Sequence, residues 1–384
     1  MADFAGEVRR LMAERGMSLR GLGRAAGYDP SHLSKILSGR KPASPYLAAR
    51  LDDALGAQGK IREAAASTAV PARSQAERGL PRRAVTVADA EAVAETTRAF
   101  RDLDNRFGGA HAHGLAARYL DSSVALMLRS GTYTEDVGRR LFGAAAQLAH
   151  LAAWTAYDMG DGRRAEQYFA RALELAAAAG DHAFAGEVLA ARSHRAIHIG
   201  SPSRAIELAR ASRHIAARAG VPALLAEAYE LEANGQALLG ERQACAASLA
   251  GCERAFSRSD PGSTPGWLAY FGRAYLAARF AHTLRDLGDW REAERYALEA
   301  AALSGDLART RAFNTALLAT AYAEIDLERA LGAGAEALAM TAGLQSGRAV
   351  RYVDDLRRRL RRRYGNEPGV RNFDELASET LGSR

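Results

Sequence analysis

The sequence predicts an all-α protein in which a small N-terminal helical domain precedes a long α-solenoid of antiparallel helix pairs. Three observations carry that expectation. Apolar residues in the first 57 positions recur at helical spacing between glycine stops. From residue 89 to 345 the helical spacing persists and the chain is almost free of proline. Within that stretch glycines return every 40 residues, at Gly160, Gly200 and Gly240. A chain of 384 residues exceeds one ordinary core and suits two or three domains.

The first helix takes its apolar stripe from Phe4, Val8, Leu11 and Met12 and stops at Gly16. Ser18 caps the next, which turns Leu19, Leu22 and Ala26 inward. Gly27 and Tyr28 make a short turn. Asp29 is an N-cap with Pro30 at the first helical position, where a missing N–H costs nothing. Leu33, Ile36 and Leu37 are the inward residues of that third helix, and Gly39 ends it. A further helix follows over YLAARLDDALG. Residues 58–88, rich in small, polar, Pro and Arg residues, read as a flexible linker.

The repeats begin after two leading helices in 89–130. Five positions after each turn glycine stand Ala165, Ala205 and Cys245. Gly288 starts a fourth copy, with Ala293 five later. Seven positions before the glycines stand Ala153, Ser193, Ala233 and Ala281, all small. Small residues at fixed offsets let two helices approach closely, and stacked pairs bury one continuous core. A weaker fifth pair spans 307–343, with Ile325-Asp326 in place of the glycine. Residues 346–384 read as capping helices. Val353, Leu356, Leu360 and Tyr364 give the first of these one docked face. Its many arginines also invite a nucleic-acid reading, but a solvated cap is favoured because aromatic residues are few there.

Two short helices joined by a tight turn form a helix-turn-helix. The run from Ser18 to Lys41, SLRGLGRAAGYDPSHLSKILSGRK, closely resembles the phage-repressor-like (xenobiotic-response-element) family of regulators. The resemblance covers residues 4–56. It implies that the third helix enters the major groove of double-stranded DNA. Matched position by position, Ser31, His32, Ser34 and Lys35 would face the bases. Arg40 and Lys41 would meet phosphates and set the register, and Arg20 and Arg24 would do likewise. The family often carries glutamine where this chain has Leu19 and Pro30, so base reading rests on fewer side chains.

The repeats resemble tetratricopeptide repeats, best in residues 151–181. That resemblance places the first helix of each pair on a concave groove. The groove would be lined by Gln147, His150, Trp154 and Tyr157, then Glu187, His194 and His198. Glu227, Glu230 and Asn234 follow, and then Tyr275, His282 and Arg285. Trp154, His194, Asn234 and His282 share one repeat position and would form a row suited to an extended peptide. The plainer alternatives are that Trp154 fills a gap between helices, and that the histidines and glutamates are solvated surface. The whole layout is similar to Gram-positive peptide-responsive regulators and to a set of actinobacterial regulators. That similarity implies a homodimer and a signalling peptide, small ligand or protein partner in the groove.

Other classes are disfavoured. Cys245 and Cys252 lie seven apart on a helix, about 10 Å along its axis, too far for a disulfide. No metal-ligand spacing, P-loop or nucleophile motif occurs, so no metal, no cofactor and no catalysis are expected. No secretory signal or transmembrane run is read, which suggests the cytoplasm. The net charge is +7, but the two ends are basic and the middle is acidic. Basic ends can meet phosphates while an acidic body is repelled by them. The expectation is a sequence-specific DNA-binding regulator whose repeats sense a signal or bind a partner. The alternative is a protein-interaction scaffold with a vestigial helix-turn-helix.

Overall fold

The computed structural model describes residues 4–26, 28–39, 43, 45–68, 84–303, 305 and 308–381. It divides into two units, Met1–Pro81 and Arg82–Arg384. Among the described residues everything regular is helical, apart from one isolated bridge between Ala84 and Thr132.

The first unit holds α1 (Phe4–Glu14), α2 (Leu19–Ala26), α3 (Pro30–Leu37), α4 (Pro45–Ala54) and α5 (Lys60–Thr68). Val8, Leu11, Leu22, Leu33, Leu51 and Leu55 form its core. The anticipated caps are in place: Gly21 N donates to Ser18 Oγ at 3.1 Å, and Ser31 N donates to Asp29 Oδ1 at 2.9 Å. Gly16 and Gly39 take positive φ, which ends α1 and α3 at little steric cost. Gly23 is where the turn presses on α2, since a Cβ there would lie 2.7 Å from the Tyr28 carbonyl oxygen.

The segment expected to be a linker from residue 58 onward instead begins with α5. Ile61, Ala64 and Ala65 of that helix are buried in the same core. Asp52 holds its start by accepting from Gly59 N and Ile61 N at 2.8 and 2.9 Å. The apolar face of this helix is mostly alanine, which carries little hydrophobic signal in the sequence. Residues 69–83 of the expected linker lie outside the described residues.

The second unit opens with α6 (Val87–Phe107), α7 (Gly109–Tyr119), a π-helical turn over Leu120–Val124, and α8 (Ala125–Ser130). Five antiparallel pairs follow. They are α9 (Glu135–Asp158) with α10 (Gly162–Ala179), and α11 (His182–His198) with α12 (Pro202–Ala219). Next come α13 (Pro222–Leu238) with α14 (Arg242–Phe256), and α15 (Arg273–Leu287) with α16 (Trp290–Ala302). The fifth is α17 (Ala308–Tyr322) with α18 (Leu327–Ala342). α19 (Gly347–Tyr364) and α20 (Pro368–Leu381) close the unit.

Gly160, Gly180, Gly200, Gly220, Gly240 and Gly288 all have φ between 65° and 89°. They terminate helices in the left-handed conformation that costs other residues strain. Ala153, Ser193, Ala233 and Ala281 are fully buried, as are Ala165, Ala205 and Cys245. The small residues therefore sit where helices touch. Burial pushes both cysteine thiols up, that of Cys245 to about 11, which keeps them inert.

The array bends until its two ends meet. Arg309 donates to Asp104 and Asn105, both at 2.8 Å, and Gln345 N donates to the Phe107 carbonyl at 3.1 Å. Gly108 sits in this seam with φ 92°, and a Cβ there would fall 2.5 Å from the Gln345 carbonyl oxygen. Val353, Leu356 and Leu360 of α19 pack with Phe373 and Ala377 of α20 into the last core cluster. That is the docked face read from the sequence.

Candidate functional site

In the first unit, α3 turns Leu33, Ile36 and Leu37 into the core. Ser31, Ser34 and Lys35 are left exposed on the opposite side, at helical offsets of three and four. Arg20 and Arg24, one turn apart on α2, are exposed as well. The ion pairs of this unit lie elsewhere, joining Arg10 to Glu7 and Glu14, and Arg62 to Asp52 and Asp53. Lys35, Arg20 and Arg24 thus have no carboxylate partner among the described residues. Arg9 fixes the end of α3 by donating to the Leu37 carbonyl. The His32 side chain, Arg40 and Lys41 lie outside the described residues.

The expected groove residues of the second unit do converge on the inner side of the array. They are not an open lining, however. His150, Tyr157, Glu187, Glu227, Glu230 and Asn234 are all at most 5% exposed, and His194 and His282 are 8% exposed. Gln147, Trp154, Tyr275 and Arg285 are half-buried, and His198, exposed as a whole residue, keeps its ring against Tyr157, His194 and Tyr352.

The row exists, but its members satisfy one another. Trp154 Nε1 donates to His150 Nε2 at 3.0 Å, and the Trp154 and His194 rings lie 5.2 Å apart. His194 and His198 share a hydrogen bond at 3.0 Å between their Nε2 atoms. Asn234 donates to Asp286 at 3.0 Å and accepts from Arg279 at 3.3 Å. Its amide is therefore committed within the fold and is not free for a peptide backbone. Tyr275 packs edge-on against Tyr270, with ring centroids 5.1 Å apart.

α19 is the internal occupant of the concave side. Its Arg348 donates to Asp158 at 2.7 Å and stacks near Trp154, Tyr157 and Phe313. Tyr352 approaches His282, with ring centroids 5.5 Å apart. Burial and the nearby arginines, Arg279 among them, hold His194, His198 and His282 well below the usual imidazole range. Burial takes His150 down to about 3. These histidines are neutral and do not act as cations at physiological pH.

A further group joins Tyr270, which no sequence repeat places there, to the buried Glu187 and Glu227. Tyr270 Oη lies 3.0 Å from Glu187 Oε1 and 2.8 and 2.9 Å from the two Glu227 oxygens. A phenol has one proton and can donate to only one of them, so the second carboxyl must carry its own proton. Burial raises Glu187 to about 7, and burial with the charge of Glu187 raises Glu227 well above the carboxylate range. Tyr270 arrives on a loop between α14 and α15, whose Trp267 packs on Phe184 at 5.4 Å. The signal was the spacing: Gly240 and Gly288 are 48 residues apart instead of 40.

The fold retains a proton that the unfolded chain releases above about pH 4.5, so stability falls as pH rises from there through about 7. Wild type is expected to lose on the order of 2 kcal/mol between pH 5 and 8 from this pair. Glu187→Gln, which stays neutral, is expected to flatten that decline. Urea unfolding across the pH range measures it, and an unchanged slope in the variant refutes the shared-proton assignment.

Residues 3–65 match the family described as a helix-turn-helix domain. Among solved structures, the tetratricopeptide-repeat domain of P58(IPK) aligns over 98% of this chain and 99% of its own length. The identity is 14% and the TM-score 0.24. No curated protein matches the chain. The N-terminal unit is a helix-turn-helix domain. The second is a tetratricopeptide-like helical array, on the glycine turns and paired helices described above.

Proposed function

We propose that the protein is a sequence-specific DNA-binding transcriptional regulator whose repeat array receives a signal or partner and supports dimerisation. The observation that carries this reading is the solvent face of α3. Ser31, Ser34 and Lys35 stand there free of the core, and Arg20 and Arg24, which have no carboxylate partner among the described residues, are on the helix before it. Hydroxyls and an ammonium on the exposed side of a second helix suit base edges in the major groove. Unpaired arginines suit phosphates, which give affinity and register.

A dimer would present two such helices to half-sites about 34 Å apart, one turn of duplex. The array would set that separation. No helix among the described residues is long and apolar enough to cross a membrane, and a site of action in the cytoplasm accords with DNA as partner.

The test is selection of genomic fragments by the full chain, followed by salt titration of the best one. Lys35→Ala is expected to weaken the selected fragment about tenfold and to narrow its margin over random DNA. Arg20→Ala and Arg24→Ala are each expected to weaken all fragments alike and to reduce the salt slope by about one. If wild type binds every fragment equally, the regulator reading fails and a protein-interaction scaffold takes its place.

A further inference from the structure

A cavity of about 250 Å³ lies between α19 and the last turns of α11, α13 and α15. We propose that it binds a small organic phosphate of about mononucleotide size. The volume sets the size. It lies just below the common range of small-ligand pockets, about 300–1,000 Å³, and is too small for an extended peptide.

Charge sets the class. Six arginines line the cavity: Arg279, Arg285, Arg348, Arg351, Arg358 and Arg359. Four carboxylates answer them. Glu230 takes Arg279, Asp286 takes Arg285, Asp158 takes Arg348, and Asp355 is shared by Arg358 and Arg359. Two positive charges remain in excess, and the two exposed arginines of the lining are Arg351 and Arg358. They stand seven residues apart on α19, hence on one face. A phosphate monoester carries about −1.5 to −2 at neutral pH, which matches that excess.

Guanidinium groups present planar paired donors that fit phosphate oxygens. His198 and His282 also line the cavity. Being neutral, each offers one N–H and adds no further charge. Behind them, His194 Nδ1 is buried without a hydrogen-bond partner. Tyr352, tilted 34° from His282, supplies an aromatic wall for the organic part.

The ligand class does not depend on DNA binding. Only its role as the regulator's signal rests on the proposed function. The test therefore uses the full chain without DNA. Its probes are adenosine 5′-monophosphate, inorganic phosphate, uncharged adenosine and tetraglutamate, followed by calorimetric titration and thermal unfolding. Adenosine 5′-monophosphate is expected to bind saturably and raise the unfolding temperature. Inorganic phosphate should do so more weakly, and adenosine and tetraglutamate not at all.

Arg351→Gln combined with Arg358→Gln is expected to weaken the nucleotide at least about tenfold. Arg362→Gln combined with Arg363→Gln, an equal charge change at the Glu324 end of α19, is expected to leave binding unchanged. Three results would overturn the proposal. One is no stabilisation by either phosphate probe. Another is equal binding of tetraglutamate. The third is a double variant that loses stability without probe yet binds it as wild type does. In that case the two arginines only offset the carbonyl ends of the neighbouring helices. Each readout is separate from DNA selection, so either reading can fail alone.

Discussion

Arg279→Ala is expected to destabilise the repeat array by about 3–5 kcal/mol, the usual result of breaking a buried ion pair from one side. Arg279 is 4% exposed and Glu230 0%. Their contact of 2.8 Å is supported by Thr283, which donates to the other Glu230 oxygen at 2.9 Å. Removal of the guanidinium leaves a buried carboxylate with the Thr283 hydroxyl as its remaining side-chain donor. It also removes the donor that holds Asn234. Two of the residues expected to read a peptide thus act as the polar interior of the array. Urea unfolding followed by far-UV circular dichroism measures the loss. A change below about 1 kcal/mol would mean that Glu230 is hydrated or protonated in the fold.

Asp158→Ala is expected to cost a comparable amount and, in addition, to open the seam between the ends of the array. Asp158 is 1% exposed. It accepts from Gly109 N at 3.0 Å, Ser346 Oγ at 2.8 Å and Arg348 Nε at 2.7 Å. The carboxylate therefore binds the leading helices and α19 to the end of α9. Burial by itself would raise its pKa, but Arg348, Arg309 and the Gly109 N–H outweigh burial and hold it below the usual value. Its contribution is present at neutral pH and is lost as pH falls through that lowered pKa.

Amide exchange separates this effect from general destabilisation. In the variant, Gly109, Gln345 and the first turn of α19 are expected to lose protection, while the centres of α11 and α13 keep theirs. Uniform loss across the array would show that Asp158 is an ordinary core group and that the seam is not a separate element.

The two buried acid systems respond to pH in opposite directions. Asp158 loses its contribution as pH falls, and the Glu187–Glu227 pair loses its own as pH rises. The array should therefore be most stable at mildly acidic pH. His150, His194, His198 and His282 sit in between as neutral packing groups.

The sequence by itself determined most helix boundaries, with α5 the exception, the pairing of helices and the outward face of α3. Each of those follows from neighbours along the chain. Ser18 and Asp29 cap the helices they precede, glycines turn where φ is positive, and small residues at fixed offsets mark helix contacts. The apolar residues of α3 settle which of its side chains face outward.

Only the tertiary structure decided that the groove is filled. Arg279 and Glu230 are 49 residues apart, and Arg348 and Asp158 are 190 apart. Whether such pairs meet depends on a small rotation at every repeat, summed over five pairs until the ends touch. No local pattern records that sum. The same curvature laid α19 along the inner side and carried the Tyr270 loop onto two glutamates. Residues that read as an exposed recognition row therefore became a hydrogen-bonded interior. What stayed open is the arginine-lined cavity beside α19.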